Sequence, residues 1–208
     1  MNSIVTVLTP APSFDLTTLA TAKQELGITT RTLDDKLSRW IEEASSTVVH
    51  YLGRGLASEG LQESFRLHWG SNNKSVVLTR FPVVSVQSVT ADGTLLDPSE
   101  WEVNLREGLL YRLDAATGLY QIAWHCSQLV VVYTAGYALL GDLPRDIERA
   151  CLILLNHRYA AGDRDPTIKS EDVPGILSTT YWVGGIGENA AVPPEAASLL
   201  NPFREMWV

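Results

Sequence analysis

The densest group of reactive side chains lies in "LLNHRYAAGDRDP", Leu154 to Pro166, which holds one His, two Arg and two Asp. A His with a carboxylate is the pairing that general acid–base hydrolysis uses, provided the groups converge within hydrogen-bond reach. The apolar spacing of Ile147, Ala150, Cys151, Leu154 and Leu155 predicts a helix through this stretch, opened by Pro144 and closed by Gly162. At about 100° per residue, His157 and Arg158 point about 100° apart, with Arg158 in line with the apolar stripe and His157 on its flank. Asp163 and Asp165 fall past the helix end, so the groups do not converge along the helix. Arg158 in the last turn suits the negative end of the helix dipole and can meet a carboxylate or a neighbouring subunit.

Other chemistry has less support. His50, His68 and His125 have no second ligand at metal-binding spacing. Cys126 and Cys151 form no C-x-x-C pair and read as reduced core residues. There is no G-x-S-x-G and no Ser-x-x-Lys, and "VGGIGENAA" matches neither phosphate-binding glycine pattern. No catalytic, cofactor-binding or metal-ligating residue is assigned. Asp34-Asp35 and Glu42-Glu43 belong to the solvent face of a helix. Tyr181 and Trp182 sit in a Gly-rich segment without a stripe of their own, and such aromatics are favoured interface anchors.

The elements that position these residues run helices, strands, helices. Thr17 or Thr18 caps a short helix ending at Gly27. Thr32, with an acid at N3, predicts the start of a longer helix carrying Leu33, Leu37, Trp40, Ile41, Ala44, Val48 and Tyr51 on one face and stopping at Gly53. From about 61 to 134 the period is that of strands: "SFRLHW", "SVVLTR", "VVSVQSVT", "WEVN", "LLYRL", "YQIAW" and "LVVVYT", with Asp92-Gly93 as a hairpin turn. No helix-length segment interrupts them, which argues against a parallel βαβ fold. Residues 163–192 carry no expected element. A short helix follows Pro193-Pro194, and Asn201-Pro202 restarts a final turn toward Trp207.

The 208 residues suffice for a real core, and a net charge of −8 removes the basic footprint of a protein that grips nucleic acid by its phosphates. No basic leader and no apolar run of about 18 residues is present, so neither a signal peptide nor a membrane span is expected. The fold class expected is α+β. A helical bundle lobe comes from residues 1–60 and 135–208, and an antiparallel β lobe, 61–134, is inserted between its halves.

Several motifs carry a family resemblance. "LTTLATAKQELGI" followed by "LDDKLSRWIEEASSTVVHYLGRGL" resembles the opening of tailed-phage head–tail connector proteins, with Tyr51-Leu52-Gly53-Arg54 as their Tyr-Leu-Gly-Arg signal. "FPVVSVQSVTADGTLL" looks like the β insertion of the larger members. "VVVYTAGYALLGDLPRDIERACLILLNHRYAAGD" is similar to their strand, Ala-Gly-Tyr, Pro and helix run, and "VPPEAASLLNPFR" to their ending. The resemblance implies a non-enzymatic virion protein at the head–tail junction, made in the bacterial host cytoplasm. It implies a homo-oligomeric ring, dodecameric in the virion, beneath the portal. That ring extends the DNA channel without sequence-specific binding and docks the tail or a stopper. No cofactor and no membrane enters this reading. The candidate interface residues are Arg158, Tyr181, Trp182, Phe203, Arg204 and Trp207. The alternatives are a tail-completion or tail-terminator ring and, further off, a hydrolase using His157 with an Asp.

Overall fold

The computed structural model describes residues 3–68, 72–162, 170–173, 177–180 and 192–204, the backbone alone at 170–173 and 177–180. It is an α+β structure dividing into two compact units, Met1–Ser13 with Gly55–Ala138, and Phe14–Arg54 with Leu139–Val208.

The first unit is built from strands. A five-stranded antiparallel sheet has the order β1 (Ser3–Thr9), β2 (Glu59–Arg66), β9 (Gln128–Ala135), β4 (Val83–Ala91) and β5 (Thr94–Leu95). A second sheet pairs β7 (Leu109–Leu113) with β3 (Ser75–Val77), β6 (Trp101–Asn104) and the two-residue β8 (Gln121–Ile122). Alternation decides the faces. In β9, Leu129, Val131, Tyr133 and Ala135 are buried while Val130, Val132 and Thr134 are half-buried. The same period buries Leu61, Glu63 and Phe65 of β2. Leu61 and Phe65 of β2 and the four buried β9 residues form one core with Val76, Leu78 and Leu110 of the second sheet's side, and with Trp124 and Cys126. Asp92 and Gly93, at φ 45° and 81°, make the expected turn between β4 and β5. The Asp92 carboxylate also accepts from the Ser127 and Gln128 amides at 3.0 and 2.8 Å, fastening the turn to the start of β9. β1 lies in an opening stretch where no element was expected, and its pairing with β2 places residues 3–13 in this unit.

The second unit is helical. α1 (Leu19–Leu26) is capped by Thr18, whose hydroxyl accepts from the Thr21 amide at 3.0 Å, and it ends at left-handed Gly27. α2 (Asp34–Leu52) ends as expected at Gly53, φ 71°, but it does not start at a Thr32 cap. Its N-cap is Leu33 without a side-chain bond, and the Thr32 hydroxyl lies 3.1 Å from that of Thr30. The helix opens instead on Asp34 and Asp35, favourable at the positive end of its dipole. Asp34 is held from α1 by Lys23 at 2.6 Å. Ser45 is turned into the core, where its Oγ accepts from the Leu16 amide at 3.0 Å.

α3 (Arg145–Ala161) follows Pro144 and stops at Gly162. Its buried set is Ile147, Ala150, Cys151, Leu152 and Leu155, with Leu154 only half-buried. Packing against α1, α2 and α4 (Pro194–Leu200) widens the buried arc toward Leu152 and Leu155. A short 3-10 turn, Asn201–Phe203, continues from α4. Within the stretch where no element was expected, β10 (Ser170–Val173) and β11 (Leu177–Thr180) form an antiparallel pair.

Candidate interface residues

Arg158 sits in the last turn of α3, where α3 packs on α2. Its Nη2 lies 3.8 Å from Glu43 Oε2, and its guanidinium carbon 6.0 Å from the Trp40 ring centroid. Lys36 Nζ approaches the same ring at 4.9 Å. The Arg158 and Glu43 side chains are 61% and 63% exposed, so water screens the pair and it contributes well under about 1 kcal/mol. Arg158 therefore has partners in its own subunit, yet most of it stays available to another chain. Alignment with the apolar stripe did not bury it, because the last turn of α3 reaches the solvent edge of α2.

The second cluster joins the two ends of the helical unit. The Tyr51 hydroxyl donates to Asn201 Oδ1 at 2.7 Å, and the Arg204 guanidinium carbon lies 5.4 Å from the Tyr51 ring centroid. Phe203 is half-buried beside them in sequence and Arg204 is exposed. Tyr51 opens the Tyr-Leu-Gly-Arg run and Asn201–Arg204 closes the Leu-Leu-x-Pro-aromatic-Arg run. Two motifs separated by 150 residues thus make one contact. Tyr181, Trp182 and Trp207 lie outside the described residues.

The Ala135-Gly136-Tyr137 run follows β9 and has its own geometric reason. Gly136 has φ 111°, and a Cβ there would stand 2.2 Å from the Ala57 carbonyl oxygen. This close approach lets the Tyr137 amide donate to Leu56 O at 2.7 Å and the Ser58 amide to Tyr137 O at 2.9 Å. Only glycine combines that φ with that approach.

Sequence reasoning passed over Glu63, which is fully buried in β2. Its Oε2 accepts from the Tyr133 hydroxyl at 2.7 Å and from the Thr79 amide at 3.1 Å. The carboxylate therefore ties β2 to β9 and to the chain leaving β3. Burial, aided by the bond to Glu63, pushes the Tyr133 hydroxyl far above the usual tyrosine range, so it remains a donor. Glu63 Oε1 has no hydrogen-bond partner among the described residues. The signal was present in "LQESF": period two puts Glu63 on the face of Leu61 and Phe65.

The groups that first suggested chemistry are dispersed. His50, His68 and His125 are exposed and His157 is half-buried, while Asp163 and Asp165 lie outside the described residues. No group of three or more His, Cys, Asp or Glu could hold a metal among the described residues. Burial pushes the thiols of Cys126 and Cys151 up to about 11 and about 12, so neither is a thiolate nucleophile at neutral pH. No helix among the described residues is long and apolar enough to cross a membrane.

Comparison with known proteins bears on the whole chain. A family model described as head completion protein (HCP) matches residues 15–206. No curated protein matches the sequence. Among solved structures, the fold is similar to a chain in the neck of an empty gene transfer agent (GTA) particle computed with C6 symmetry. That similarity has a TM-score of 0.58 at 16% identity and covers 99% of this chain and 97% of that one. A chain in the virion of a native GTA particle gives 0.57 at 16%, with the same coverage of 99% and 97%. One in the native neck computed with C12 symmetry gives 0.55 at 17%, again covering 99% and 97%. At these identities the likeness is one of fold, whereas the family match spans most of both units. The chain belongs to the head completion protein family, the structural head–tail connectors that its motifs resemble.

Proposed function

We propose that this protein is a structural virion component of the head–tail junction, acting as a ring of identical copies between the portal and the tail or a stopper. The observation that carries the reading is the head completion family match over residues 15–206, which takes in both the helical and the β unit. The neck chains of similar fold come from assemblies with C12 and C6 symmetry, which supports a cyclic arrangement of twelve copies. In such a ring each subunit uses two different surfaces, one meeting the other on its neighbour around a closed rotation. Its work is binding geometry and not bond chemistry. The net charge of −8 suits a channel through which DNA slides without being held, since an acidic wall offers phosphates no counterion. Arg158 with Trp40 and Lys36, and Arg204 with Phe203, are the described surface groups suited to contacts with neighbouring chains. Tyr181, Trp182 and Trp207 are proposed to join them.

The test is co-sedimentation of purified protein with portal-bearing heads and, separately, with isolated tails. Binding to heads, with twelvefold rings visible by electron microscopy, is expected. Binding to tails alone would replace this reading with a tail-completion ring. A His157→Ala protein that no longer supports infection although it still assembles would reopen the hydrolase reading.

A further inference from the structure

β1 is an edge strand whose sequence, Ser-Ile-Val-Thr-Val-Leu-Thr, carries no charge, proline or glycine. Five of its seven residues (Ile4, Val5, Thr6, Val7 and Thr9) are β-branched. It pairs with β2 on one side and has no strand on the other among the described residues. Edges of this kind are usually blunted by charge, proline or bulges, because the free backbone groups template pairing with another chain. The opposite edge of the same sheet is blunted. β5 there has only two residues, and β4 carries two register shifts, between Val83 and Ser85 and between Val86 and Ser88. β1 has a single shift, between Val7 and Thr9, and leaves Ile4 69%, Val7 46% and Leu8 52% exposed.

We propose that β1 pairs antiparallel with β1 of a second copy, about a twofold axis at Thr6, and so makes the free protein a dimer. The strand reads nearly the same in both directions from Thr6. Antiparallel self-pairing sets Thr6 opposite Thr6, Val5 opposite Val7 and Ile4 opposite Leu8, where the register shift ends the regular ladder. Thr–Thr and aliphatic β-branched pairs are among the cross-strand pairs that stabilise antiparallel sheets. Val5 and Val7 register with Glu63 and Leu61 of β2, and Val5 packs on the core, so self-pairing carries that core layer across the axis. A strand bearing charges would bury them against this uncharged edge, whereas a second β1 brings none. The contact is isologous and is separate from the heterologous contact that closes a ring. It therefore stands independently of the proposed function.

The twofold axis makes a sharp test in the full-length protein. Two Thr6 residues face each other at a Cα distance of about 4.5–5.5 Å, inside the range a disulfide spans. Two Ile4 residues are offset by four positions, about 13 Å along the strands, and are out of reach. Thr6→Cys should form a covalent dimer under mild oxidation while Ile4→Cys stays monomeric on a non-reducing gel; the native Cys126 and Cys151 are buried. Sedimentation equilibrium should give wild-type protein twice the 22.8 kDa chain mass. Thr6→Lys, which opposes two like charges, should give the single mass with unchanged circular dichroism. A wild-type monomer up to about 100 µM, well above a typical micromolar Kd, overturns the proposal. So does a Thr6→Lys protein that stays dimeric, or Ile4→Cys cross-linking as fast as Thr6→Cys.

Discussion

Gly136→Ala isolates the reason for the Ala-Gly-Tyr run. Gly136 has φ 111°, and the added methyl would sit 2.2 Å from Ala57 O, 2.5 Å from Ala57 C and 2.8 Å from Ser58 N. All three are backbone atoms, so no rotamer change relieves the contact. The backbone itself is tied by the Ser58–Tyr137 and Tyr137–Leu56 hydrogen bonds of 2.9 and 2.7 Å. Conformational strain of about 1–2 kcal/mol and overpacking of about 1–3 kcal/mol together destabilise the β unit by roughly 2–5 kcal/mol. Gly93→Ala is the matched control in the same unit. Its φ is 81°, but nothing lies within 4 Å of a Cβ there, so only the strain remains. For a domain of this size each kcal/mol lowers Tm by about 4–8 °C. The expected order in a thermal scan followed by circular dichroism is wild type, then Gly93→Ala, then Gly136→Ala lower by at least about 4 °C more. A Gly136→Ala protein melting with or above Gly93→Ala would refute the steric argument.

Three further outcomes follow from the same geometry. Tyr51→Phe removes the donor to Asn201 and should cost the helical unit about 1 kcal/mol in urea unfolding, with increased proteolysis after residue 200; unchanged susceptibility there would deny the clasp. Tyr133→Phe strips one of two donors from the buried Glu63 carboxylate and should cost about 1.5–3 kcal/mol, most of which Glu63→Gln in the same chain should recover if the buried charge is the cause. Cys126 and Cys151 should resist alkylation at pH 8 until the chain unfolds. Because burial raises their folded values from the ordinary 9.0 to about 11 and about 12, their protonated form favours the fold. Their stabilisation is complete below pH 9 and declines as pH rises through that interval; stability that rises over pH 9–11 would contradict the burial of both thiols.

Most of the scaffold was legible one element at a time. The apolar face of α2 from Leu37 to Tyr51, the Gly27, Gly53 and Gly162 stops, the Asp92-Gly93 turn and the alternation of β9 each depend on residues within a turn or two of each other. Such signals survive without knowledge of the fold. The Thr32 start failed because a hydroxyl with a competing neighbour, Thr30, gives no cap, and the Lys23–Asp34 pair lies between two helices. β1 escaped notice because an uncharged strand at a sheet edge, exposed on both faces over most of its length, shows no clean alternation.

What the amino-acid order determined alone was the α+β succession, an acidic chain without a phosphate grip, and a set of motifs in connector order. Tertiary structure alone decided which of those motifs touch. Tyr51 finds Asn201 across 150 residues, Glu63 finds Tyr133 across 70, and Gly136 meets Ala57 backbone to backbone. It also decided that Arg158, in line with a buried stripe, emerges at the end of α3 on the solvent edge of α2, beside Glu43. Local periodicity says which face of an element is buried, but a partner distant in sequence is chosen only when packing brings two faces together.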